Sequence, residues 1–337
     1  MTEKAYGGST GIPQPKPVGK AKKSEISSLT AKTTQTMEKE SDQLTKEEIE
    51  KLKQAGEIAK KVKAFAREII KKGVPLIEVA NKIDAKIEEL GGKPAFPLNL
   101  SINEIAAHST PSFNDETLAH GLLKFDVGIH VDGYVADTAF SLDLEDSEEN
   151  KKLIEAADSG LQAALDIISS TTELQHIGKA IENAIKSKGF QPIINLSGHS
   201  VDQYELHSGI TIPNYDNSQD FEIGTGSFAI EPFATSGMGR VKDGRPSGIY
   251  HLESENQVRD PFAREVLKHI KEEHKTLPFC SRWLVKKFGS RALIALKRLE
   301  EAKILHHYPQ LIEVDKKPVA QAEHTVVLTD KEKIITT

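Results

Sequence analysis

The chain has 337 residues, a formal net charge of −6 and a single cysteine, Cys280. That length buries a sizeable core in one large or two smaller domains, and the mild acidity gives no overall pull toward nucleic acid or anionic membrane. One cysteine excludes an internal disulfide framework; no apolar leader resembles a signal peptide, and no run of about 18 apolar residues would span a membrane. A soluble, cytoplasmic protein is expected.

Residues 1–43 are rich in Lys, Ser, Thr, Gly and Pro, with Tyr6 the one aromatic. Such a segment buries too little apolar surface to offset its ordering entropy, so a disordered tail is expected. Thr45-Lys46-Glu47-Glu48 is a capping box. It opens a helix striped by Ile49, Leu52, Ala55, Ile58, Val62, Phe65 and Ile69, which Gly73 and Pro75 end. A second helix carries Val79, Ile83, Ile87 and Leu90 and stops at Gly91-Gly92.

The next stretch, Phe125 to Ala139, reads as a hairpin. Asp132-Gly133 between apolar runs signals a two-residue type I′ turn. In that register Gly128 faces Asp137 and Ala139 faces Asp126, so both carboxylates project from one side, roughly 7–8 Å apart at Cα. Two carboxylates that close repel unless a proton or cation lies between them. A metal site resolves the conflict, whereas Asp132 is a turn residue only.

Helices are expected over about 150–168 and 173–188, ending at Gly189. A β-type run, Pro192 to Leu196, leads into Ser197-Gly198-His199. A strand from Gly226 ends in Glu231-Pro232-Phe233, and Gln321 to Val327 repeats the theme around Glu323. Two helix pairs, each accompanied by strands, suggest a duplicated α+β unit. Between the last two strands lies a helical block, about 260–303, opened by Asp260 as N-cap and Pro261 as first helical residue.

Asp126, Asp137, His199, Glu231 and Glu323 each sit in or just after a β-like run among apolar neighbours. Any one of them alone is more often a paired core group. Four carboxylates with one imidazole suit two divalent cations about 3.5–4 Å apart, the spacing of two-metal hydrolases. No cysteine joins the set, which argues against a structural zinc. The chain also lacks a helical His-Glu-x-x-His, a P-loop, a Rossmann glycine pattern and a nucleophile elbow.

The order Asp126, Asp137, Ser197-Gly198-His199, Ile230-Glu231-Pro232-Phe233 and Glu323-His324-Thr325 resembles the methionine aminopeptidases. Lys93-Pro94-Ala95-Phe96-Pro97, Ala106-Ala107-His108, Asn195-Leu196 and Ala234-Thr235 are similar to the type 2 branch, and Ile335-Thr336-Thr337 to its archaeal members. The resemblance covers residues 45–337. It implies the pita-bread fold, an α+β pseudo-twofold architecture with a metal pair at the centre of a curved antiparallel sheet. Residues 44–337 would form the catalytic domain, with a winged-helix-like insertion at 256–315.

The resemblance further implies ligands Asp126, Asp137, His199, Glu231 and Glu323, with Asp137 and Glu323 bridging two divalent cations (Co, Mn, Fe, Zn or Ni). Glu231 would accept a proton. His108 and His207 would contact substrate, stabilising the oxyanion and holding the backbone. Phe96, Leu206, Phe233, Tyr308 and Leu311 would line the methionine pocket, with core packing the plainer alternative for each. The implied reaction is removal of the N-terminal methionine from nascent polypeptides, preferably before a small second residue, by a monomer. Three departures from the family pattern stand out: Ser109 where Tyr is usual, Ala322 where Phe is usual, and no Gly-Asp in Leu118 to Gly121.

Two rivals remain at this stage. A proline-directed hydrolase of the same fold would share the metal set, and a binding-only relative that docks on ribosomes or nucleic acid would lose it. The helical block holds eleven Lys or Arg against six acidic residues over 260–303, a local charge of +5. Those cations either solvate amphipathic helices or dock on ribosomal RNA.

Overall fold

In the computed structural model, which describes residues 43–337, the first helix starts at the expected capping box. Thr45 Oγ1 accepts from Glu48 N at 3.3 Å, and Glu48 Oε2 accepts from Thr45 N at 2.6 Å. Helix α1 (Lys46–Ile69) follows, then α2 (Leu76–Glu89). The tail expected over 1–43 lies outside the described residues, Gln43 excepted. α1 stops earlier than Gly73: Ile70 turns extended as C-cap with its side chain buried, and Gly73 sits in the following turn with φ +84°.

The hairpin forms in the expected register and is longer than expected, pairing Leu122–Val131 with Tyr134–Asp143. Gly128 opposes Asp137 and Asp126 opposes Ala139. Asp132 and Gly133 both take positive φ (52° and 92°), as a type I′ turn requires. Asn99–Ile102 and Lys93–Pro94 pair with the first hairpin strand. The apolar stripes of α1 and α2 pack behind this sheet, around Val62, Ile83, Phe125 and Ile129.

The second half repeats the plan. Helices α3 (Glu148–Ile167) and α4 (Leu174–Ser187) back an antiparallel sheet with strand order Lys333–Ile335, His324–Leu328, Gly226–Ile230, Ser197–Val201, Thr211–Pro213. Leu161, Ile177, Ile181 and Phe228 are among its core residues. The halves join where Ala139 bridges Glu323, with Glu323 N donating to Ala139 O at 3.2 Å. Two helix pairs on two joined sheets make the α+β pita-bread arrangement.

A long bent ribbon, Val241–Leu252 against Leu305–Glu313, extends from this body. Helices α5 (Pro261–Glu273), α6 (Ser281–Phe288) and α7 (Ala292–Glu301) pack on it through Leu267, Ile270, Leu284, Leu296 and Tyr250. Asp260 Oδ1 caps α5 by accepting from Ala263 N at 2.7 Å.

One strand expectation needs correction, and one strand was not expected. Pro192 to Leu196 is not a strand beyond its first residue: Ile193 N and Ile194 N donate to Phe233 O and Gly239 O in different segments. Asn195 then holds both backbone polar groups of Val241 with its amide. The ribbon strand Val241–Leu252 went unread because Gly244, Pro246 and Gly248 interrupt its alternation, at places where the ladder itself shifts register.

Candidate active site

The five residues singled out as ligands come from both halves and converge on one cavity of about 250 Å³. Asp126 and Asp137 face it from the hairpin and His199 from the strand Ser197–Val201. Glu231 and Glu323 sit at breaks, just after Gly226–Ile230 and just before His324–Leu328. Such breaks free a side chain from the alternation of the sheet. Asp137, His199 and Glu323 are buried, and each offers an atom within 4.8 Å of the others. His199 Nε2 lies 3.8 Å from Asp137 Oδ2 and 3.5 Å from Glu231 Oε1.

The electrostatics are those of buried carboxyls that repel one another and hold their protons. Burial pushes the Asp126 carboxyl up to about 7, against a lowering hydrogen bond from Gln321. Asp137 is raised well above the usual range by burial and then by the Asp126 charge. Glu231 and Glu323 rise for the same reasons, burial first and neighbouring carboxylates next. Burial, then His207, pushes His199 down to about 3, so its imidazole is neutral at physiological pH. Asp126 Oδ1, Asp137 Oδ1 and Glu323 Oε2 are buried with no hydrogen-bond partner. Orphaned acceptors on repelling acids around a neutral imidazole fit a divalent metal centre.

The remaining expected residues line the same cavity: Phe96, His108, Leu206, His207, Phe233, Tyr308 and Leu311. Gly128 explains how Phe96 reaches it, because a Cβ at residue 128 would lie 2.2 Å from the Phe96 ring. The His108 ring packs edge-on to Tyr308 at 5.2 Å, and the His207 ring lies 4.3 Å from that of His199. Burial pushes His108 down to about 4. Its Nδ1 sits 3.2 Å from Pro309 O, an acceptor only, so the neutral ring carries its proton on Nδ1. Nε2 is left as an acceptor. His108 also has φ 56°, a conformation that costs a non-glycine residue energy.

Sequence reasoning missed the residues that brace the cluster. Gln321 Nε2 reaches both Asp126 Oδ2 (3.4 Å) and Glu231 Oε2 (3.5 Å). Thr138 Oγ1 donates to Glu323 O at 2.8 Å and accepts from Lys63 Nζ at 2.9 Å. Gln321 stood inside the quoted motif, and a polar amide in an apolar run was the available signal. Of the departures, Ser109 Oγ accepts from Gln310 Nε2 at 3.1 Å and faces a separate cavity of about 360 Å³, lined by none of the five candidate ligands. Ala322 is buried in the second-half core, its N–H on Pro232 O.

A fold with paired halves and a buried Asp-His-Glu group defines a class, and comparison agrees: the chain belongs to metallopeptidase family M24, which matches residues 50–330. Within that family it is similar to the methionine aminopeptidase of Pyrococcus abyssi, 46% identical over 295 residues, covering 86% of this chain and 99% of the relative. The fold is also that of a thermophilic Arx1 (TM-score 0.76, 16% identity, 87% of this chain and 91% of that one). A methionine aminopeptidase from Thermotoga maritima has TM-score 0.63, with 22% identity over 87% and 98% of the two chains. Among the described residues, no helix is long and apolar enough to cross a membrane.

Proposed function

We propose that the protein is a methionyl aminopeptidase that removes the N-terminal methionine from nascent proteins and peptides, preferably when the second residue is small. The observation that carries this reading is the buried cluster of Asp137, His199 and Glu323 in a cavity walled by apolar side chains. Near-full-length similarity to the Pyrococcus abyssi enzyme supports it over a proline-directed hydrolase.

Asp126, Asp137, His199, Glu231 and Glu323 would hold two divalent cations; Co, Mn, Fe, Zn and Ni all suit this donor set. Such ions supply Lewis-acid chemistry at the scissile carbonyl and a docking point for the free amino terminus. Phe96, Phe233, Leu206, Leu311 and Tyr308 enclose an unbranched thioether side chain, which conforms to an irregular apolar wall. Glu231, half-buried in the wall of the cavity, takes the proton of the attacking water and returns it to the leaving amine. His108 accepts from a substrate backbone N–H through Nε2, since its proton is committed to Pro309 O. That leaves donation to the developing oxyanion to His207, the more exposed of the two.

Residues 44–337 act as one catalytic domain, a cytoplasmic monomer, with 256–315 as the type 2 insertion. A second reading, docking of that insertion on ribosomal RNA, rests on the +5 charge of its helical block, 260–303. Several of those cations are already engaged: Arg282 is buried against Asp84, and Arg298 and Lys271 pair with Asp260 and Glu255. Reversing Lys271, Lys286, Lys287 and Lys297 together should abolish low-salt ribosome co-sedimentation while peptide turnover persists; unchanged sedimentation removes the docking reading.

Single-turnover cleavage of a Met-Ala-Ser peptide with and without chelator tests the principal reading. Cleavage should require added divalent metal and release free methionine. Cleavage unaffected by exhaustive chelation would overturn it.

A further inference from the structure

The bent ribbon places a second set of imidazoles beside the cavity, outside the cluster already described. His251 and His306 are directly opposed across the ladder of Val241–Leu252 and Leu305–Glu313. Opposed residues in an antiparallel pair share a face, with Cβ atoms about 4.5–5.5 Å apart. Their ring centroids are 5.2 Å apart, tilted by 49°. Two imidazoles that bind one tetrahedral ion through nitrogens at about 2.0–2.1 Å place their ring centroids about 5.2 Å apart. The observed pair already has that separation.

Three further observations support a ligand there. His251 Nδ1 is buried and has no hydrogen-bond partner, although the residue as a whole is half-buried and within reach of solvent. Burial, then the neighbouring His306, lowers the proton affinity of His251, which favours the neutral ring that coordinates a metal. Both rings also pack on Tyr308, at 5.1 and 4.8 Å, and Tyr308 is a wall of the cavity that touches His108.

We propose that His251 and His306 form an accessory site for a transition-metal ion at the rim of the cavity, and that an ion bound there slows turnover by holding the Tyr308 wall. Imidazole donors select Zn²⁺, Ni²⁺ or Cu²⁺ over Mg²⁺ and Ca²⁺. Two protein ligands leave positions open to water, so the site is exchangeable, unlike a closed structural zinc. Neither histidine belongs to the cluster proposed for catalysis, and binding at this site does not depend on which peptide the protein cleaves.

The test is equilibrium dialysis of the full chain against Ni²⁺, comparing the parent with His251→Gln and His306→Gln made separately. The parent should bind one equivalent more than either variant, and Mg²⁺ should not compete for it. Methionine release at limiting metal should be the same in all three proteins. Excess Ni²⁺ should slow the parent severalfold and leave both variants unaffected. Equal stoichiometry in the parent and either well-folded variant, or excess-metal inhibition that survives in both, overturns the proposal. The stoichiometry arm stands even if methionine release is absent, so its failure is distinct from failure of the peptidase reading.

Discussion

The hydroxyl of Thr325 closes both backbone polar groups of Asp137: it accepts from Asp137 N at 2.7 Å and donates to Asp137 O at 2.8 Å. One side chain from the second half thereby fixes the carboxylate at the centre of the proposed metal cluster, across 188 positions of sequence. Thr325→Val keeps the shape and removes both bonds, leaving a buried N–H and C=O unpaired at about 1–3 kcal/mol each. The expected outcome is a lowered thermal midpoint together with weakened metal binding, by calorimetry. Thr325→Ser should restore most of both.

Asp137 and His108 should fail in different ways. Asp137→Asn removes a charge from the cluster, so both metal content and methionine release should be lost. His108→Ala should leave metal content unchanged while turnover falls about 10²–10⁴-fold, the usual scale for a positioned polar group acting on substrate. Elemental analysis beside kinetics separates the two, and metal loss in His108→Ala would make His108 a ligand instead.

Gly128 predicts a specificity defect without a metal defect. A methyl group there would meet the Phe96 ring at 2.2 Å, on the wall assigned to the methionine side chain. Gly128→Ala should therefore displace that ring, at an overpacking cost of about 1–3 kcal/mol. KM for methionine peptides should rise with metal stoichiometry intact; an unchanged KM would remove Phe96 from the pocket.

The raised carboxylates give a pH dependence with a definite sign. Without metal, burial pushes the Asp126 carboxyl up to about 7, against about 3.9 in an unfolded chain. Between those values the folded state holds a proton that the unfolded state has released. The contribution of Asp126 is therefore fully present below pH 4 and lost as pH rises through 7. Buried His108, His130 and His274, each pushed down to about 4, act in the opposite sense below 6.5. The difference between metal-loaded and chelated protein at one pH cancels these histidines. Metal binding displaces the carboxyl protons, so the gain in thermal midpoint on loading should grow from pH 5.5 to 8. A gain that shrinks over that range would contradict protonated acids in the metal-free site.

Much of this site was legible from local chemistry. Asp132-Gly133 dictates a two-residue turn, and the turn fixes the register that puts Asp126 and Asp137 on one side. His199, Glu231 and Glu323 stood out as polar groups at the ends of apolar runs. Thr325, Thr138 and Gln321 act only through partners brought in from the other half, and no pattern of period 2 or 3.6 encodes that meeting. The ribbon was illegible for another reason: Pro246 and two glycines break its alternation where the strand bends. The division of labour between His108 and His207 depended on Pro309 O, which lies 201 residues from His108 in sequence.

The most direct measurement is the product spectrum of metal-loaded protein given Met-Ala-Ser, Met-Lys-Ser, Ala-Ala-Ser and an Xaa-Pro dipeptide in one mixture, followed by mass spectrometry. The account predicts rapid loss of methionine from Met-Ala-Ser, much slower loss from Met-Lys-Ser, and little change in the other two. Preferential cleavage of the Xaa-Pro dipeptide, or removal of alanine as fast as methionine, would contradict it.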